Sequence, residues 1–433
     1  MKRAWRWAVV LLLAVPFAWW ALNQRLASAP PQAAPAADPL PPLRPMQPPP
    51  PFEAPPSAPL PQPARPAVPP QIAASSVAAR PDDHQRMEVC GHGRLPEHEI
   101  ERVMPDEVQQ ETLGRLAQVL LRGSDREQVV GWLLSDLMES NAAFADTFRA
   151  CNQDIDCVIK ATNHPRSQPS EGQQALVRLA ERSADAWVYR AAVAHVCRSG
   201  NTSAERGASP CARLSPSQWQ QRDPSDAAPW LWQAEIAAAR QDAAAVDAAL
   251  AQAARLPQLS SPVGQLYGPL LAHADVRALP PLSRVGVLMG VIGVTAALPI
   301  PVHVVTSHCT TEKLMLPERR ERCDALARLF VDQAPTLMQR AVGARLGERL
   351  GWPAERVREL EDEKLALQQV RNDELKVKGI LSCAGIADVE RFFRDQAAAG
   401  EVAALRKQLQ SSGRSTAEWA AQARTAIAAA LKQ

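Results

Sequence analysis

An excess of charge is nearly missing from this chain: 48 Lys and Arg stand against 46 Asp and Glu, a formal +2 over 433 residues. No global field therefore steers it toward nucleic acid or an anionic surface. Tyrosine is almost absent, with two residues, and aromatics make up only 5% of the sequence, although eleven of them are Trp. Also missing are a glycine-rich phosphate loop, an H-E-x-x-H pair, a zinc knuckle and any nucleic-acid motif. The chemistries that depend on those spacings have no local carrier, and no small-molecule substrate or cofactor is implied. Credible alternating strands are lacking too. "PVHVVTSHC" (301–309) is the nearest candidate, and it is too short and Pro-bounded to count as one. No cysteine occurs before residue 90.

What is present starts with a greasy segment. Lys2, Arg3 and Arg6 precede an uncharged run of eighteen residues, Trp7 to Gln24. That length is near the lower limit for a helix crossing a bilayer. Trp5 and Trp7 sit at one end and Trp19 and Trp20 at the other, where amphipathic rings favour the interfaces. The flanking cations favour a cytoplasmic N-terminal side, which would export everything after Leu22. Ala27-Ser28-Ala29 resembles a signal-peptide cleavage site, but Pro30 in the next position hinders cleavage. The expectation is a retained single-pass anchor over 1–25 in a bacterial inner membrane, with the rest periplasmic.

Residues 26–82 read as a spacer. Positions 30–70 hold nineteen prolines in forty-one residues, which leaves too few apolar side chains and backbone donors for a core. Near polyproline II the segment would reach on the order of 100 Å. It could also be a ligand for an aromatic groove. A semi-rigid stalk is the simpler reading.

From about Asp82 the periodicity is helical, so 83–433 is expected to be an all-α domain. "DEVQQETLGRLAQVLLRG" (106–123) carries a Leu-rich face and ends on Gly123, a candidate C-cap. Ser124 or Asp125 can cap the next helix, striped by Val129, Trp132, Leu133 and Leu137. Further helices are expected over 171–182, 185–198, 227–240, 242–255, 281–298, 317–332, 335–350, 354–374, 386–411 and 415–431. The charge-free run 285–305 contains three glycines, Pro299 and Pro301, and reads as a buried helix plus loop rather than a second span.

The clearest helix pair is "DAAPWLWQAEIAAARQDAAAVDAALAQAARLP" (226–257). Trp230, Ala234 and Ala237 share one face, Val246, Leu250 and Ala253 share the next, and Pro257 stops the second helix. This resembles a tetratricopeptide repeat, which uses a Trp, small residues at the helix crossing and a terminal Pro. Gln233 stands where that repeat has Leu, Gln241 where it has Gly, and Pro257 arrives one position early. Upstream, "DAWVYRAAVAHVC" (185–197) matches with Trp187, Ala191 and Ala194. The two Trp residues are 43 apart, against a period of about 34. The resemblance implies helical hairpins over about 170–257 and a protein-binding surface. In overall plan the chain is also similar to bacterial envelope proteins with a short anchor, a Pro-rich spacer and a Cys-bearing Ala/Leu/Arg-rich helical domain.

Eight cysteines beyond the greasy segment, an even number in an oxidising space, favour cross-links. Local closure suggests Cys151–Cys157, Cys197–Cys211 and Cys309–Cys323, leaving Cys90 for Cys383. Cys197–Cys211 and Cys309–Cys323 each close a fifteen-residue loop, which corresponds to about 3 kcal/mol in the chain-entropy model. A disulfide at Cys90 would remove the strongest donor from "CGHGRLPEHE" (90–99), where His92 and His98 are six apart and share no helix face. "HGRLP" reads as a turn and "PEHEIERV" as a helix start. "CNQDIDC" spaces Asp154 and Asp156 like a calcium loop but lacks its Gly and distant Glu. "HVVTSHCTTEK" groups His303, Ser307, His308 and Cys309 without a nucleophile elbow or orienting acid. "ERRERC" (318–323) and "RELEDEKLALQQVRNDELK" (358–376) read as solvated helix faces, with Leu360, Leu365 and Leu367 packing in the second. No metal or catalytic residue is singled out. The functional expectation is a tethered periplasmic interaction module or scaffold for an unknown envelope protein. The alternatives are a helical enzyme directed at peptidoglycan and a structural spacer.

Overall fold

The computed structural model describes residues 86–152, 154–162, 169–197, 210–296, 298, 301–377 and 379–430. The expected anchor (1–25) and spacer (26–82) lie outside the described residues.

The body opens with a hairpin that the all-α expectation omitted. β1 (Arg86–Val89) pairs antiparallel with β2 (Gly93–Pro96), Val89 opposite Gly93 and Arg86 opposite Pro96. Gly91 and Gly93 take φ of +80° and +74°, the reversal that side-chain-bearing residues resist. "HGRLP" is thus mostly strand, with only His92 in the turn. Local pattern did not announce it because tertiary contact holds it. Val89 is buried, and Cys90 N donates to the carbonyl of Leu381 at 2.8 Å.

α1 (Glu97–Val103), α2 (Asp106–Leu120) and α3 (Asp125–Ala150) follow. Ser124 and Glu127 form a capping box ahead of α3. Leu121, in ordinary right-handed conformation, caps α2, so Gly123 is not the left-handed C-cap expected. α4 (Ile155–Thr162) packs back on α3. α5 (Glu171–Arg182) and α6 (Ala186–Val196) make a hairpin. A 3-10 turn (Pro210–Arg213) and α7 (Pro216–Arg222) lead to a second hairpin of α8 (Ala228–Ala239) and α9 (Ala243–Ala253).

α10 (Tyr267–Ala272) and α11 (Ala274–Ala278) precede α12 (Pro281–Ala296), the charge-free helix. Its Gly286, Gly290 and Gly293 let Gln109, Leu113 and Leu137 approach so closely that an added Cβ would meet them at 3.1, 3.3 and 3.7 Å. Close packing in the core therefore accounts for the run without charge. Among the described residues no helix is long and apolar enough to cross a membrane.

α13 (His303–His308) occupies the stretch that looked nearest to a strand. Next come the hairpin of α14 (Pro317–Gln333) and α15 (Leu337–Arg349), then α16 (Ala354–Val377). The single helix expected over 386–411 is two, α17 (Cys383–Ala399) and α18 (Glu401–Ser411), because Gly400 turns the chain at φ +88°. α19 (Thr416–Ala430) packs along α16. One apolar cluster runs from Val89 to Phe393, and a smaller one joins Leu367, Val370, Leu405 and Trp419; Phe392 touches both.

Candidate functional site

All eight cysteines lie in pairs at disulfide distance. Cα separations are 4.6 Å for Cys90–Cys383, 5.7 Å for Cys151–Cys157, 5.0 Å for Cys197–Cys211 and 5.9 Å for Cys309–Cys323. These fall within the range disulfides allow. Each pair sits at the end of a helix. Cys197 terminates α6, Cys309 terminates α13, and Cys151–Cys157 closes the turn between α3 and α4.

The repeat-like residues lie in two unlike settings. On α6, Trp187, Ala191 and Ala194 are buried, as is every residue from Trp187 to Val196. On α8, Ala234 and Ala237 are buried and Trp230 is half-buried; Val246, Leu250 and Ala253 of α9 are buried as well. α6 packs mainly with α5, the helix before it, whereas α8 packs mainly with α9, the helix after it.

Three polar clusters surround these helices. In the first, His195 Nε2 lies 2.6 Å from Asp136 Oδ2, and the Ser170 hydroxyl donates to Asp136 Oδ1 at 2.7 Å. All three residues are buried, and a Cβ at Gly172 would meet the Asp136 carboxylate at 2.5 Å. Serine, aspartate and histidine meet here, but the hydroxyl is turned to the acid and not to the imidazole. The Ser170 oxygen also accepts the Gln173 N–H that caps α5. A nucleophile needs its base within hydrogen-bond reach, so this is a buried structural network.

In the second cluster, the buried Arg190 guanidinium lies 3.3 Å from Asp223 and 3.6 Å from Asp226, with its carbon 6.0 Å from the Trp219 ring. Burial lowers Arg190 from its ordinary value against the pull of Asp226 and Asp223. Burial likewise raises the Asp226 carboxyl, against Arg190 and hydrogen bonds from Ser260 and Ala228 N.

The third cluster joins α9, α13 and α14. Asp247 accepts from Arg319 and Arg322, each at 3.1 Å, and His308 Nε2 lies 3.2 Å away. Arg319 and Arg322 are only about one-fifth exposed, at 21% and 20%. "ERRERC" is therefore a solvated face only in part: Glu318, Arg320 and Glu321 are exposed, whereas Arg319 and Arg322 turn inward. Burial pushes the His308 imidazole down to about 4, despite Asp247, so it is neutral at pH 7. "RELEDEKLALQQVRNDELK" is partly inward too. Burial would lift Glu363, but hydrogen bonds from Arg406 and Arg340 more than offset it and hold the carboxyl below the usual range.

One acid fits none of these networks. Glu235 on α8 accepts the Val304 N–H of α13 and feels His303, yet burial raises its carboxyl and Oε2 has no hydrogen-bond partner. It lines neither the shallow cleft beside Met104, Thr112 and Leu282 nor the one beside Trp219, Trp232 and Gln339. Sequence reasoning passed over it. Its one signal was an acid in the middle of an Ala-rich helix.

No family model matches the chain, nor does any curated protein or any solved structure.

The remaining sequence candidates have local duties. Among the described residues no group of three His, Cys, Asp or Glu is placed to hold a metal. His92 is exposed on the hairpin turn. Asp154 Oδ1 accepts from Asp156 N and Cys157 N and so caps α4. The Ser307 hydroxyl donates to the carbonyls of His303 and Val304, within its own helix.

The end of α3 stands apart. Leu133, Leu137, Ser140, Phe144, Phe148 and Cys151 follow at steps of three and four, so they form one stripe along the helix. Its start is core, with Leu133 buried and Leu137 against Gly293. Further out, Phe144 is 49% exposed and Ile155 on α4 is 55% exposed, while the Phe144 and Phe148 rings lie 6.2 Å apart.

Proposed function

We propose that this chain is a membrane-tethered periplasmic scaffold: an anchor over 7–24, a proline stalk, and a stapled helical body that binds a protein of the envelope. The observation that carries the reading is the pairing of all eight cysteines, each pair with one member at the end of a helix. A chain exposed to oxidising conditions gains from such geometry, whereas thiols in a reducing compartment stay open. The tetratricopeptide-like hairpins over about 170–257 support a binding role, since stacked helix pairs present extended surfaces for peptides and partner helices.

Affinity capture from crosslinked envelopes, with the stalk intact, tests the reading. The expected result is one stoichiometric protein partner, and recovery of sugar strands alone would contradict it. Glu235 favours one second reading, a helical enzyme acting on peptidoglycan, because an acid raised by burial is suited to donate a proton. Incubation of the purified chain with sacculi separates the two. The scaffold releases no fragments, whereas an enzyme releases fragments that Glu235→Gln abolishes.

A further inference from the structure

We infer that the projecting end of α3, with α4, is the docking surface of the scaffold, and that its occupant is a basic amphipathic helix of a partner protein. The inference rests on the scaffold reading above and names the surface and the partner's chemistry.

α12 covers the α3 stripe as far as Gly293, which meets Leu137, and stops at Ala296. Phe144 lies seven residues beyond Leu137, two turns or about 10 Å further along α3. The apolar stripe therefore continues past the helix that covers it. From Glu139 to Asp146 would be the natural place for polar residues on every side; instead Phe144 lies there, nearly half exposed, stacked at 19° on Phe148.

The tip is also stiff. A short helical hairpin without a core is marginal in water, because nucleation costs more than a few hydrogen bonds return. Here Cys151–Cys157 ties the two helices within a six-residue separation, and Asp154 caps the second. The chain thus holds rigid a surface that adds little to its own core, and a preformed surface binds with less ordering cost.

Charge selects the occupant. From Glu139 to Thr162 stand Glu139, Asp146, Asp154 and Asp156, against Arg149, which is paired to Asp146, and Lys160, a net charge of −2. An anionic lipid surface and a second copy of this acidic tip are both repelled. A helix with Lys or Arg beside an apolar stripe is attracted, and its stripe can lie along Phe144 and Phe148 as one helix lies in the groove of another.

The test uses the full-length chain in zwitterionic nanodiscs and a fluorescent Leu/Lys amphipathic helix. A Leu/Glu counterpart and phosphatidylglycerol vesicles are the competing ligands. The expected result is saturable binding of the Leu/Lys helix that weakens between ~0.05 M and ~0.5 M salt. Phe144→Ser with Phe148→Ser weakens it about tenfold, and Asp154→Asn with Asp156→Asn weakens it several-fold. Met315→Ser, at a remote side chain 81% exposed, leaves it unchanged. Since the Phe variants could disturb the tip itself, a photoreactive residue at position 144 supplies a direct readout: it should cross-link the Leu/Lys helix. Unchanged binding in the Phe variants, equal binding of the Leu/Glu helix, absence of the cross-link, or Phe144-dependent binding to the vesicles instead of the peptide each overturns the proposal. If the tip fails while crosslinked envelopes still yield a protein partner, this inference falls alone and the scaffold reading stands.

Discussion

α6 and α8 carry the same signature, a Trp followed at four and seven residues by Ala, and the molecule uses them in opposite ways. α6 lies inside the body, buried on every side from Trp187 to Val196. Its two basic residues, Arg190 and His195, each meet an acid from another part of the chain, Asp223 and Asp226 for one and Asp136 for the other. α8 lies toward the surface, with Gln233, Glu235 and Ile236 only partly covered, and Glu235 has one backbone donor and an unpartnered oxygen. The difference teaches that a helix signature sets local packing, while the cost of burying charge sets which distant residues must accompany it.

The comparison breaks most sharply at Asp136. Asp136→Ala removes the buried acid that His195 and Ser170 share and should cost about 3 kcal/mol in urea unfolding. Glu235→Ala on α8 should cost well under half of that, and equal losses would remove the contrast. Next in size is the covalent tie at the end of α6. Cys197→Ser with Cys211→Ser opens a loop of sequence separation 14 and should cost about 3 kcal/mol or somewhat less, read by thermal melts under non-reducing conditions.

A smaller effect concerns pH. His308 is held neutral by burial, with its folded value near 4 against 6.5 when unfolded, so the unfolded chain binds the extra proton between those limits. Stability therefore falls as pH drops from about 6.5 to about 4, and His308→Gln should flatten the melting temperature over that window. Glu363 acts lower. Its stabilisation is present above 4.5 and is lost as pH falls through its depressed folded value. The smallest expected effect sits between α8 and α9. Gln241 adopts φ +58°, the conformation glycine tolerates best, at the position where a tetratricopeptide repeat has Gly. Gln241→Gly should be neutral or stabilise by about 0.5 kcal/mol, and a clear loss would mean the side chain makes a favourable contact there.

How much of this was legible in the sequence follows the range of the forces involved. Local patterns carried the long helices: 171–182 coincides with α5, and the Ser124 cap is where hydroxyl and Glu127 foretold it. The cysteine pairs read from loop closure are the pairs that the structure places at bonding distance. Short helices such as α7, α10, α11 and α13 escaped, because five to seven residues hold too few turns for a period to show. The β-hairpin escaped because its partner, Leu381, is almost 300 residues away in the chain, as the Cys90–Cys383 separation of 293 indicates. Polar clusters are hidden for the same reason. His195 and Asp136 are 59 residues apart and Arg319 and Asp247 are 72 apart, so no spacing rule joins them. Glu235 looked like any helix acid until its surroundings were known.

Mass mapping of a non-reduced digest, taken from envelopes alkylated before lysis, tests the central claim most directly. The account predicts four cross-linked peptides joining Cys90 to Cys383, Cys151 to Cys157, Cys197 to Cys211 and Cys309 to Cys323, with no alkylated cysteine. Recovery of these cysteines as alkylated thiols would contradict it, and with it the placement of the body in an oxidising space.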